Sequence, residues 1–150
     1  REVPTILAQR ALFLPLEDAK LVPVDVADIA KAAYLLLTTQ GHEQKTYAMS
    51  GPEALSMDEI AEQISLAVGK TVRYASISRE ERRQALLAAG VPSFFVDALD
   101  TQAGERLQGT EATVHSETHT GLGITPTTFV EFARRNAGAF LGESSYVGLK

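Results

Sequence analysis

Apolar positions change their period several times along the chain. Residues 3–14 are apolar and read as a short helix over 4–10, then an extended Leu12-Phe13-Leu14 that ends at Pro15. Glu17-Asp18-Ala19-Lys20 is a polar turn. Leu21 to Val24 reads as a strand, and Pro23 places it at a sheet edge or a strand end. Asp25 or Asp28 then caps a helix to about Thr39, with Ile29, Ala32, Ala33, Leu36 and Leu37 at helical spacing. Gly41 stops it. Tyr47-Ala48-Met49 is a short strand closed by Ser50-Gly51-Pro52. Ser56 and Glu59 form a capping box, and the helix behind it buries Ile60, Ile64, Ala67 and Val68 before Gly69. Val72 to Ile77 alternates as a strand.

The second half is nearly all helical. Ser78 and Glu81 form another capping box, opening a helix through Ala89 that ends at Gly90. Pro92 or Ser93 opens the next, through about Leu107, apolar at Phe95, Leu99 and Ala103. Gln108 to Gly123 is a polar loop. Thr125-Pro126 caps a last helix carrying Phe129, Phe132, Ala133 and Phe140, and the tail after Gly142 frays. The expected fold is α/β and helix-rich, with about five helices and three or four short strands. Residues 20–78 form strand–helix units, 79–141 a helical lobe and 142–150 a tail, all within one domain over 1–150. No internal repeat, low-complexity segment or linker interrupts them.

The repeated step from strand to helix is that of a nucleotide-binding α/β protein near its C-terminal end. The glycine-rich turn that would hold the phosphates is absent, so the domain is expected to be partial. The first residue is Arg, which suits a fragment or a processed product.

Composition narrows the picture further. The 150 residues are 45% hydrophobic and 22% charged, with a net charge of −5. An acidic chain does not attract phosphate backbones over its whole surface, which argues against general nucleic-acid binding. There is no cysteine, so disulfides, thiolate metal sites and cysteine catalysis are excluded. No run is long and apolar enough to span a bilayer; the best, Ile29 to Leu37, is broken by Lys31. No signal-peptide cleavage pattern follows the N-terminus. The chain is expected to be soluble and cytoplasmic, away from membranes.

Each candidate motif has a plainer reading. A dinucleotide turn needs glycines where backbone approaches a pyrophosphate; the nearest match is Gly121-Leu122-Gly123, with Pro126 where a third glycine belongs. Asp25 and Asp28 suit a helix start as dipole partners. His115-Ser116-Glu117-Thr118-His119 sets two imidazoles at i and i+4, as paired zinc ligands can be, but the Ser/Thr-rich stretch reads as a solvated loop. No metal is expected. Tyr146 and Lys150 have the spacing in which a phenol protonates a carbonyl beside a lysine, yet Gly148 interrupts them at the chain end, which reads as coincidence. Arg79, Arg82 and Arg83, among Glu80 and Glu81, read as a solvated face. Phe94 and Phe95 cannot both face one helical core stripe, so one of them can line a ligand pocket or an interface. No nucleophile elbow, Walker loop or Ser/His/Asp ordering is present.

The chain resembles the second half of NmrA-like proteins, atypical members of the short-chain dehydrogenase/reductase superfamily. Leu12-Phe13-Leu14-Pro15, Val22-Pro23-Val24-Asp25-Val26-Ala27-Asp28-Ile29-Ala30 and the Leu35–Thr38 helix end carry the likeness. It continues through Lys45-Thr46-Tyr47-Ala48-Met49-Ser50-Gly51-Pro52-Glu53-Ala54-Leu55-Ser56, Val72-Arg73-Tyr74, Gly90-Val91-Pro92 and Thr125-Pro126-Thr127-Thr128-Phe129. Related sugar-nucleotide epimerases and isoflavone-reductase-like enzymes share parts of it.

The resemblance implies an N-terminal Rossmann half that binds NADP or NAD, and a smaller C-terminal lobe that shapes the substrate cleft. The expected role is that substrate-side lobe of an NAD(P)-dependent oxidoreductase acting on a quinone-like or carbonyl acceptor. Phe13, Phe94 and Phe95 are the expected pocket walls. No catalytic or cofactor-binding residue carries over, and no cofactor is expected on this chain alone. The alternative is a non-catalytic, NAD(P)-linked redox-sensing regulator or interaction module with a protein partner. A homodimer paired across a Tyr47 strand edge is a further possibility.

Overall fold

The computed structural model describes residues 3–143. Helix α1 (Val3–Gln9) turns into strand β1 (Ala11–Leu14) through Arg10, whose φ of 51° reverses the chain. Strand β2 (Arg73–Ser76) lies parallel to β1, with Ala11 opposite Arg73 and Leu14 opposite Ser76. Parallel pairing needs a long crossover. Here that crossover holds two helices, α2 (Val26–Thr38) and α3 (Met57–Val68).

The remaining elements are helical: α4 (Arg79–Ala88), α5 (Ser93–Leu107), α6 (Glu117–Leu122), α7 (Phe129–Arg135) and α8 (Ala137–Leu141). The described residues therefore hold eight helices and one two-stranded parallel sheet. The α/β class is as expected, with more helices and fewer strands.

Each difference has a local cause. Leu21 to Val24 is not a strand but carries one antiparallel bridge, from Leu21 to Leu55. Pro23 has no N–H to extend a ladder. Beyond the bridge, the Gly51 N–H donates to the Val22 carbonyl at 3.4 Å. Tyr47 to Met49 joins no sheet, so no strand edge is presented there. Instead the Tyr47 hydroxyl lies 2.6 Å from Nδ1 of His42. The loop expected over 108–123 contains α6.

The last helix breaks in two at Asn136, which is buried and folds its side-chain amide onto the Phe132 carbonyl at 2.9 Å. Its cap is Thr128, not Thr125-Pro126: the Thr128 hydroxyl and the Glu131 carboxylate satisfy each other's backbone N–H groups. The capping boxes at Ser56/Glu59 and Ser78/Glu81 form as expected.

One hydrophobic core ties the molecule together. Ile6, Leu12 and Leu16 meet Leu55, Met57, Ile60, Ala61 and Ile64 of α3, with Val72 and Ala103. Phe129 and Phe140 lean on it from α7 and α8. Helix α3 is thus the central post. Its C-terminal end is tied to the approach of β2 by Ser65, whose hydroxyl donates to the Val72 carbonyl and accepts from the Val72 N–H.

Candidate functional site

Helix α2 stands on two carboxylates. Asp25 caps it, accepting from the Ala27 N–H at 2.8 Å, and also pairs with Arg135. Asp28 is 1% exposed and accepts from the Thr127 N–H at 2.6 Å, the Thr127 hydroxyl at 3.1 Å and Lys31 at 2.9 Å. Burial pushes its carboxyl up, and these hydrogen bonds outweigh burial and hold it below its ordinary value. Both acids therefore build structure. They tie the start of α2 to Thr127 and Arg135, and the segment Leu21–Val24 runs into the α2 cap.

Two depressions meet at Arg106. The first is a notch at the carboxyl ends of β1 and β2, where open α/β sheets bind ligands. Leu14, Pro15 and Leu16 floor it, and α4 and α5 close it. The Tyr74 hydroxyl donates to the Leu14 carbonyl and accepts from the Leu16 N–H, fixing the turn around Pro15. Arg79 grips Asp100 with bonds of 2.7 and 2.5 Å, and Arg83 meets Asp97 at 2.6 Å. These carboxylate bonds hold both guanidinium groups above their ordinary values. The notch encloses only about 60 Å³. That is room for a few waters and too little for an aromatic substrate. It is a clamp between α4 and α5.

The second depression is a groove of about 400 Å³, within the range of small-molecule sites. Leu21, Val22, Pro23 and Val24 form its apolar wall. The facing wall is polar, from Arg106, Thr110, Glu111, Thr113 and His115, and Ser50 adds a buried hydroxyl. Arg106 reaches both depressions and donates to Glu111 at 2.7 Å.

Gly51 sets the depth of the groove. A Cβ there would sit 1.9 Å from the Pro23 carbonyl oxygen, so only glycine allows this approach. The apolar wall on one side and hydrogen-bonding side chains on the other suit a ligand that is apolar across its faces and polar at its edge.

The expected pocket residues lie elsewhere. Phe13 is half-buried on β1, and its carbonyl accepts from Arg82 at 3.3 Å. Phe94 is 73% exposed, and Phe95 is half-buried with its ring edge-on to Phe94 at 6.4 Å. None of the three lines the groove or the notch.

His115 does line the groove, while His119 is buried with neither ring nitrogen hydrogen-bonded. No group of three or more metal-ligating side chains forms among the described residues. Tyr146 and Lys150 lie outside them. Sequence reasoning missed Ser50, Arg106 and Thr110 because loop 108–123 and the Ser50 turn carry no periodic signal.

The described residues do not fit the pyrophosphate of a nicotinamide dinucleotide. Such a group needs a free helix N-terminus behind a glycine turn. Strand β1 exits into Pro15-Leu16, bridged by Tyr74. The N-termini of α2, α3, α4 and α7 are closed by their own side chains, and α5, whose start no side chain caps, follows helix α4 and not a strand. Gly121 and Gly123 lie at the end of α6, not before a helix.

The α2 side presents a different surface. Val26, Ile29, Tyr34 and Leu37 are exposed there, Leu37 by 86%, beside an open depression lined by Ala30 and Ile124. No described helix is long and apolar enough to cross a membrane.

No protein-family model matches the chain. It is 37% identical over 132 residues to an NAD(P)H azoreductase of Xenophilus azovorans, covering 85% of this chain and 45% of that protein. The triphenylmethane reductase of Citrobacter sp., solved with NADP(H), superposes with a TM-score of 0.78 at 25% identity, over 90% of this chain and 47% of that one. An NADPH-dependent quinone oxidoreductase from Escherichia coli, solved with NADPH, gives a TM-score of 0.80 at 25% identity, over 89% of this chain and 47% of that one. The chain thus spans about half the length of the relatives it matches.

Proposed function

With its resemblance to the C-terminal part of an NmrA-like protein matched by these relatives, we propose that this chain is the substrate-side lobe of an NAD(P)-dependent oxidoreductase. Its acceptor is a conjugated, quinone-like, carbonyl or azo compound. The two-sided groove carries the reading. Val22, Pro23 and Val24 offer an apolar wall to a conjugated ring system, and the 106–115 segment offers hydrogen bonds to its heteroatoms. The named activities of the relatives support it, since azo, triphenylmethane and quinone compounds are all conjugated.

The lobe's own part is to bind and orient the acceptor and keep water from one of its faces. The dinucleotide falls to residues other than those described. Phe94 and Phe95 enter the proposal as an outer contact at the start of α5, and Phe13 as a support behind the α4–α5 clamp.

The test is NADPH- and NADH-dependent reduction of menadione and an azo dye by the whole protein, with and without Val24→Arg. The arginine fills the groove, so KM for the acceptor should rise about tenfold or more while cofactor affinity holds. Unchanged KM would remove the groove from the acceptor site. Alanine at Phe13, Phe94 or Phe95 that leaves acceptor affinity unchanged would remove that residue. Dinucleotide binding without turnover of any acceptor would favour a redox-sensing regulator.

A further inference from the structure

The chain has three histidines, and the structure gives them three different environments. His42 is tied on both ring nitrogens, to Thr39 at 2.7 Å and to Tyr47 at 2.6 Å. His119 is shut inside, 2% exposed. His115 is half open to solvent, and its ring makes no hydrogen bond among the described residues; its nearest charged neighbour is Glu117 at 4.0 Å.

Yet its backbone is held firmly for a loop residue. The buried Ser50 accepts the His115 N–H on its hydroxyl at 2.8 Å and donates its own N–H to the His115 carbonyl at 3.3 Å. The Ser50 hydroxyl in turn donates to the Gly51 carbonyl at 3.0 Å, at the glycine that sets the groove depth. One serine thus couples the position of the histidine to the wall opposite it. His115 also lines a neighbouring depression with Lys45, Tyr47 and Glu117, so it forms the rim between the two.

A loop whose only task was to be solvated would need no such anchoring. We propose that His115 is the acceptor-recognising residue of the groove: its ring N–H donates a hydrogen bond to a carbonyl oxygen or azo nitrogen of a conjugated ligand lying against Val22, Pro23 and Val24. A quinone carbonyl and an azo nitrogen accept hydrogen bonds and donate none, so a site for them needs a donor that the protein does not already use. His115 is such a donor, on the rim of a groove whose lining includes Val22, Pro23 and Val24. The assignment rests on the reading that this lobe takes a conjugated acceptor.

The test uses the whole protein and menadione, with azobenzene as the second probe. Carbon-bound ring protons of the three histidines are followed by NMR during the titration, and affinity is measured by equilibrium dialysis. Saturable movement of the His115 signals is expected, with those of buried His119 still. His115→Phe should weaken binding about five- to tenfold, the worth of one hydrogen bond. His115→Gln, which keeps an N–H donor, should restore it to within about twofold, and Ser50→Ala should fall between.

If the wild type binds and neither its His115 signals nor the affinity of His115→Phe changes, the assignment fails and the acceptor-lobe reading stands. If neither probe binds the wild type at all, both fail. Should His115→Phe not fold, the wild-type NMR titration and His115→Gln still decide.

Discussion

Asp28 joins α2 to the chain 99 residues later, through Thr127. Replacing it by alanine strands the Thr127 N–H in a part-buried site. A buried donor left without a partner costs about 1–3 kcal/mol. The Thr127 hydroxyl can rotate and lose less, and Lys31, with a side chain 59% exposed, can swing into water. The expected loss for Asp28→Ala is about 3 kcal/mol, which for a domain of this size lowers Tm by about 9 °C. Asp28→Asn keeps an acceptor for the N–H and loses the charge, so about 1.5 kcal/mol is expected.

The pH dependence has a definite sign. The folded Asp28 carboxyl lies below its ordinary value of 3.8. Its contribution is therefore complete above that value and is lost as pH falls through the lower folded one. Urea denaturation at pH 7, repeated in steps below pH 4, measures both effects. Asp28→Asn should flatten the acid limb. A loss under about 1 kcal/mol for Asp28→Ala, or the same acid limb in Asp28→Asn as in the wild type, would refute the argument.

The other predictions concern the groove, the α2 face and the dinucleotide. Gly51→Ala drives a methyl group into the Pro23 carbonyl, at 1.9 Å where Cβ atoms need 3 Å or more. It should cost about 2–3 kcal/mol by urea denaturation and weaken menadione binding as the Val22–Val24 wall shifts. Leu37→Lys, on a side chain 86% exposed near the C-terminal end of α2, should change stability by less than about 0.5 kcal/mol. It should also lower binding of an apolar fluorescent dye, because one side of the bare face is removed. Titration of the chain with NADPH, followed by nicotinamide fluorescence, should show no saturable binding in the micromolar range. Saturation would mean that a phosphate site forms without a glycine turn between strand and helix.

What was legible in the sequence is what depends on neighbours along the chain. The capping boxes at Ser56 and Ser78, the helix after Asp25 and the alternation around Tyr74 need only a few residues to declare themselves. Strands at Leu21–Val24 and Tyr47–Met49 were not so decided, because an extended segment becomes a strand only when another backbone lies beside it. The Thr128 cap was hidden for a related reason. Thr125-Pro126 has the better local signal, but Asp28 takes the Thr127 N–H and hydroxyl and holds the stretch extended until Thr128.

Aromatic side chains are conspicuous in a sequence, whereas a groove with one short apolar wall and one polar wall is not. Its apolar wall is three residues around a proline, its depth comes from a missing Cβ, and its histidine is placed by a serine 65 residues earlier. None of these has a period. They share a surface only because Gly51 brings the Ser50 turn against Pro23, and Ser50 then pins the 115 loop to that turn. The groove is therefore one mechanical unit, and a perturbation at Gly51 should be felt at His115 through Ser50. NMR of Gly51→Ala checks this directly: the His115 ring signals should move while those of His42, held by Thr39 and Tyr47, stay in place. Movement confined to residues 22–24 would show that the serine does not couple the two walls.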